Sequence, residues 1–262
     1  MTVPCAIILA AGRGSRLKPY TDDQPKCCIE LDGRRLIDWQ ITTLRSVGID
    51  DIVVVTGYRA DKVTVAAQKV RNDDWANTNM VETLFCAEPK FGKDVVVAYA
   101  DIVYELRLVR AVLDSPHDVS VVVDHGWRPY WESRFPDPLS DAETLRMDRD
   151  GCIVDIGRRP ASFAEVEAQY VGLMRFRGEG VARLVAARRN LGSARKFRSG
   201  GANVRMAYMT DLLMHMIETG EKVHAVSVNG GWLEIDTAHD LEVARATVRN
   251  GTAERFRDRT AR

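Results

Sequence analysis

A chain of 262 residues, 45% hydrophobic and 28% charged, has enough apolar material to bury the core of one large α/β domain. Its 37 basic and 37 acidic residues cancel, which removes the global charge that would draw it to nucleic acid or to an anionic membrane. Five scattered histidines and five cysteines without a C-x-x-C pair argue against a zinc cluster or a disulfide scaffold, and the thiols suit a reducing cytoplasm.

Val3 to Ala11 is an apolar run of strand length, read as a first buried strand rather than a signal core because no basic stretch precedes it and glycines follow at once. The run breaks into Ala10-Ala11-Gly12-Arg13-Gly14-Ser15-Arg16-Leu17-Lys18-Pro19, with Pro25-Lys26 a few residues on. Two glycines free backbone N–H groups to face an anion, and Arg13, Arg16, Lys18 and Lys26 add positive charge. This is the pattern of a phosphate-binding loop. Its Gly-x-Gly-x-x-Leu spacing lacks the third glycine of a dinucleotide-binding turn, which disfavours a nicotinamide or flavin site.

Ile37, Ile41, Leu44 and Val47 recur at helical spacing before Gly48, and Ile52 to Val55 is the continuous apolar run of a strand buried on both faces. A crossover helix is expected from about Asp61 to Lys69. Asn79 and Glu82 stand three apart like a capping box, predicting a helix start whose amides face the sheet's carboxyl edge. Asp94 to Ala100 and Val119 to Val123 continue the sheet, the former running into Asp101. This alternation predicts a Rossmann-like open, mostly parallel sheet flanked by helices, with its ligand beyond the strand ends.

After Asp124, Trp127, Tyr130, Trp131 and Phe135 cluster among arginines, and Thr144 to Gly157 reads as a hairpin turning at Asp150-Gly151. An inserted aromatic lid and hairpin, about residues 125–160, is expected over the site. Gln169 to Phe176 returns as a strand and Glu179 to Asn190 as a helix, Ser199-Gly200-Gly201 marks a loop, and apolar positions make a helical stripe from Val204 to Thr219. Val223 to Val228 is a strand, and Trp232-Leu233-Glu234-Ile235-Asp236-Thr237 leads into a last helix through Asp240. One domain over residues 1–249 with a basic, loosely ordered tail at 250–262 is the predicted organisation.

The ordered set Leu9-Ala10-Ala11-Gly12-x-Gly14-x-Arg16-Leu17-x-Pro19 with Pro25-Lys26 closely resembles the signature of the nucleotidyltransferases that activate sugar phosphates and phosphocholine. The resemblance runs to about Val248. Asn79-Met80-x-x-Thr83-Leu84 and Trp232-Leu233-Glu234-Ile235-Asp236-Thr237 look like the phosphocholine and phosphonate cytidylyltransferase subgroup, which implies CTP as the nucleotide. By that resemblance the fold is nucleotide-diphospho-sugar transferase-like. Asp101 and Asp236 would hold Mg²⁺, Lys26 and Arg16 would serve the phosphates, and the Ala10 to Gly14 amides, Arg13 included, would cradle them. Thr56, Gly57, Tyr58, Asn79 and Ala100 would contact base and ribose. Each aspartate has a plainer reading as a cap of a helix or turn.

For the acceptor, Trp127, Tyr130, Trp131, Tyr208, Asp211, Trp232 and Glu234 could cage a quaternary ammonium, while Arg128, Arg134, Thr210 and again Asp211 could bond a phosphonate bearing a hydroxyl or a primary amine. The sequence does not separate phosphocholine from a small phosphonate, and these aromatics could equally just pack. Partners are expected to be small molecules only. Competing readings are a sugar-1-phosphate nucleotidyltransferase using UTP or dTTP, and a catalytically silent nucleotide-binding subunit.

Overall fold

A computed structural model describes residues 3–192, 197 and 203–249. The loop expected at Ser199-Gly200-Gly201 and the tail expected at 250–262 lie outside the described residues. Strand β1 (Cys5–Ala10) is buried along its whole length, as its unbroken apolar run dictates. A minimal hairpin of β2 (Glu30–Leu31) and β3 (Arg34–Arg35) leads into helix α1 (Leu36–Arg45), whose apolar face packs under the sheet until Gly48 turns the chain at φ 81°. Strand β4 (Ile52–Thr56) then pairs parallel with β1.

The helix expected over Asp61 to Lys69 is not formed. A single 3₁₀ turn at Ala60–Lys62 is followed by strand β5 (Gln68–Arg71), parallel to β4 at the sheet's edge. Its mostly exposed polar side chains suit an edge that must resist further pairing, and they hide the strand from a reading by apolar period. Helix α2 (Met80–Phe85) starts at Asn79, whose side chain accepts the Met80 amide at 2.9 Å. The predicted capping box is absent, because the Asn79 amide donates to the Arg205 carbonyl and Glu82 pairs with Arg188.

Strand β6 (Asp94–Tyr99) is followed by two elements the sequence reading passed over, β7 (Ile102–Tyr104) and helix α3 (Leu106–Asp114). Strand β8 (Val119–Asp124) ends at a buried aspartate that accepts the Gly126 and Gly230 amides and the Trp232 indole. The aromatic stretch after it is not a cover. It forms helix α4 (Trp127–Arg134), and Trp127 and Trp131 are buried at 4% and 3% exposure in a core shared with Trp232.

Strands β9 (Leu145–Met147) and β10 (Ile153–Ile156) form the expected antiparallel hairpin. Strand β11 (Gln169–Arg177) and helix α5 (Glu179–Asn190) follow. The long stripe from Val204 divides into a 3₁₀ turn at Val204–Met206 and helix α6 (Met209–Glu218), separated at Ala207-Tyr208. Strand β12 (His224–Val228), strand β13 (Trp232–Glu234) and helix α7 (Ala238–Thr247) complete the described chain.

The central sheet has seven strands in the order β12-β8-β11-β6-β1-β4-β5. Strand β11 runs antiparallel to both neighbours, and the other pairings are parallel. A separate ladder joins β7 to β13, with Leu233 opposite Val103 and the Ile235 amide donating to the Asp101 carbonyl at 2.9 Å. No helix among the described residues is long and apolar enough to cross a membrane.

Candidate active site

The loop leaving β1 is shaped by two close approaches. Gly14 takes a left-handed φ of 74°, and a Cβ on it would lie 2.8 Å from the Cβ of Lys26. A Cβ on Gly57 would meet the Ala11 carbonyl at 2.7 Å and Trp75 at 2.6 Å. Glycine at these positions lets the loop, the Lys26 turn and Trp75 come together. The Tyr58 amide and the Thr21 hydroxyl then tie down the carbonyls of Ala11 and Gly14, at 2.9 and 2.8 Å.

A cavity of about 300 Å³ opens over this loop at the carboxyl edge of the sheet. Ala10, Ala11, Gly12, Gly14, Arg16 and Lys26 line it, together with Asn79, Ala100, Asp101 and Asp236. Arg13, Thr56, Gly57 and Tyr58 lie behind the wall: the Thr56 hydroxyl donates to the Val70 carbonyl, and Tyr58 meets Trp75 edge-on at 5.2 Å. Arg13 lies over the Tyr58 ring. Trp75, Thr78, Thr83 and Tyr99 also line the cavity and were missed. Trp75 carries no motif, and the bulge that makes room for Tyr99 sits at Gly172, seventy residues further along the chain.

The charged centre is built from three distant segments. Lys26, on the 3₁₀ turn after Pro25, donates to Asp101 at 2.6 Å and to Asp236 at 2.7 Å. Arg16 pairs with Asp236 as well. Asp101 stands just before β7 and Asp236 just after β13, and the antiparallel β7 to β13 ladder, outside the main sheet, sets these adjoining ends side by side. Gln40 of α1, 1% exposed, holds the turn that carries Asp101 by donating to the Tyr99 and Ile102 carbonyls on either side of it, at 2.9 and 2.8 Å. Asp236 is held through Asp240, which accepts the amides of Asp236 and Thr237 and pairs with buried Arg134 at 2.8 Å.

Burial alone would lower the Lys26 ammonium, but Asp101 and Asp236 together raise it above the ordinary lysine value, so it stays charged. Asp101 also has a buried Oδ1 with no hydrogen-bond partner among the described residues. Two carboxylates converging on one point, with a spare oxygen, fit a magnesium ion that takes one or two carboxylates and fills its remaining positions with water and phosphate oxygens. No group of three or more His, Cys, Asp or Glu able to hold a metal occurs among the described residues.

A second cavity of about 170 Å³ adjoins the first and shares Arg16, Met80, Tyr99, Tyr208 and Asp236 with it. Trp131, Thr210 and Glu234 line it, as do Asp141, Glu143, Gln169 and Tyr170, which the sequence reading did not name as ligands. Trp127 and Asp211 line neither cavity: Trp127 packs on Phe163 and Trp131, and the Asp211 carboxylate caps α6 by accepting the Tyr208 amide. Arg134 is bound to Asp240 and Glu234, and Arg128 pairs with Glu132, so neither is free for a phosphonate.

The sequence is similar to known proteins over most of its length. A family model described as the MobA-like NTP transferase domain matches residues 6–199. A CTP:phosphoglutamine cytidylyltransferase of Campylobacter jejuni is 39% identical over 250 residues, covering 91% of this chain and 98% of that relative. A choline-phosphate cytidylyltransferase of Streptococcus pneumoniae is 34% identical over 97 residues, 35% of this chain and 42% of the relative. Among solved structures, an inositol-1-phosphate CTP transferase from T. maritima superposes with a TM-score of 0.71 at 19% identity, covering 95% of this chain and 98% of that one, a likeness of fold.

Proposed function

This chain belongs to the MobA-like NTP transferase domain family and is a nucleotidyltransferase, and we propose that it transfers CMP from CTP to a small acceptor bearing a phosphate or phosphonate, releasing pyrophosphate. The observation that carries the reading is the meeting of Lys26, Asp101 and Asp236 in the wall of the first cavity, with Asp236 lining the second as well. CTP is favoured because both similar enzymes named above are cytidylyltransferases.

In the reaction an acceptor oxygen forms a bond to the α-phosphorus while the bond to the pyrophosphate oxygen breaks, and the electron pair leaves on pyrophosphate. No protein nucleophile is required; the chain's work is positioning and charge. The loop amides and Arg16 hold the triphosphate, and Lys26 donates to an oxygen of the α-phosphate or the acceptor. Asp101 and Asp236 would hold Mg²⁺, which when bound offsets phosphate charge. Trp75, braced by Tyr58, offers a face on which a pyrimidine can stack.

The test is pyrophosphate release from CTP, UTP, dTTP, ATP and GTP, each paired with 2-aminoethylphosphonate, 2-hydroxyethylphosphonate, phosphocholine and glucose 1-phosphate. Release with CTP and a small phosphorylated or phosphonate acceptor is expected. Release only from UTP or dTTP with glucose 1-phosphate would replace this reading with the sugar-phosphate one.

A further inference from the structure

The second cavity carries charge that phosphate recognition does not need. On the proposed reading an acceptor phosphate is served by Arg16, which lines both cavities, and by Lys26 of the first, yet the second cavity is also lined by Asp141, Glu143 and Glu234. Glu234 is paired with Arg134 at 2.8 Å, and Asp141 lies 3.7 Å from Arg16. Glu143 makes no ion pair among the described residues. Its main chain is instead clamped by Gln169, which accepts the Glu143 amide at 3.1 Å and donates to its carbonyl at 2.7 Å. Burial, with the negative charges of Asp141 and Asp211, pushes its carboxyl up to about 7.

Two polar atoms at this cavity, the indole nitrogen of Trp131 and the hydroxyl of Thr210, on residues each 3% exposed, are buried without a partner among the described residues. Thr210 is packed so tightly that a Cβ on Gly157, at φ 86°, would lie 2.6 Å from it. Buried donors of this kind ordinarily have partners. Of the aromatic rings that line the cavity, four of five are engaged, and that of Tyr208, 36% exposed, makes no ring contact among the described residues. The Arg134 guanidinium lies 4.9 Å from the Trp131 ring centre, Tyr99 meets Tyr170 edge-on at 5.7 Å, and Trp232 meets Tyr130 at 5.8 Å. A quaternary ammonium needs open ring faces; a primary ammonium needs carboxylates to accept its N–H groups.

We propose that this cavity selects acceptors with a protonated primary amine bonded by Glu143 and Asp141, and with a carbonyl or carboxylate oxygen that accepts from Trp131 and Thr210. The inference rests on reading the cavity as the acceptor site, and assigns Glu143 as the residue that sets acceptor specificity.

The experiment is calorimetric binding of O-phosphoserine, phosphoethanolamine, phosphocholine and 2-hydroxyethyl phosphate, with CTP present and divalent cations chelated. Wild type, Glu143→Gln and Glu143→Asp are compared, with circular dichroism reporting that each is folded. The two primary amines are expected to bind about tenfold tighter than the other two, with the preference lost in Glu143→Gln and kept in Glu143→Asp. If Glu143→Gln does not fold, the wild-type ranking and the aspartate variant decide. Equal binding of phosphocholine and phosphoethanolamine, no binding of any probe, or a preference that survives in Glu143→Gln would overturn the proposal. Weaker binding of O-phosphoserine than of phosphoethanolamine would remove Trp131 and Thr210 from it. Pyrophosphate release after Mg²⁺ addition separates the two claims. Amine preference without any release leaves the subsite and sinks cytidylyl transfer, whereas equal turnover of amine and hydroxyl acceptors does the reverse.

Discussion

Lys26 differs from Lys18 in what surrounds it. Lys26 sits between two carboxylates, while Lys18 is half exposed with Asp22 at 3.8 Å. Lys26→Ala is expected to cut turnover on the order of 10²-fold, the scale of losing one placed donor to a phosphoryl group, and Lys18→Ala to change it little. Similar small losses in a steady-state comparison would reduce the loop to a solvated surface. Glu143 allows a test by pH. Its folded-state value, pushed up to about 7 from an ordinary 4.5, means the fold favours the protonated acid. That stability is fully present below the ordinary value and is lost as pH rises through about 7. Glu143→Gln should therefore gain thermal stability over wild type between pH 5 and pH 8, by at least about 2 °C in Tm. A constant difference across that window would mean the carboxyl does not titrate there. The glycine and lysine positions of the loop were legible because their spacing is local. Glu143 and Gln40 were not, since each acquires its role from a segment tens of residues away.

Among elements, the short ladder of β7 and β13 does more for the site than its three paired positions suggest, because it brings Asp101 and Asp236 to one point. Its second anchor is the Arg134 to Asp240 pair, buried on both sides and joining α4 to the start of α7. Breaking such a pair from one side takes a partner from a buried charge, here leaving Arg134 with Glu234 only. Asp240→Asn is expected to lower stability by about 3 kcal/mol and to reduce turnover beyond what lost folding explains, because the Asp236 and Thr237 amides lose their carboxylate acceptor. Denaturant titration and kcat on the folded fraction check both parts; unchanged kcat would deny Asp240 its positioning role. The sequence located β1, β4, β6 and β8 by their continuous apolar runs. It missed β5, an exposed edge, and took α4 for a lid because tryptophans beside arginines resemble a binding surface until Trp232 and Asp240 supply partners.

At the scale of the molecule, one sheet edge carries two adjoining cavities that share Arg16 and Asp236, an arrangement that suits the proposed meeting of two phosphorylated ligands. The parallel order was readable from strand and helix alternation, whereas the single antiparallel strand β11 was not, since its direction depends on where the hairpin and α5 return the chain. A balanced total charge concealed the site, because it says nothing of how charges gather locally: five acids and two bases line the two cavities. The most direct measurement is the fate of the acceptor's oxygen. With CTP, Mg²⁺ and 2-aminoethylphosphonate labelled with ¹⁸O on its phosphonate, mass spectrometry should find CMP joined to the acceptor with the whole label retained and the pyrophosphate unlabelled. Label in the pyrophosphate, or CTP left intact by every acceptor of the panel, would contradict the account.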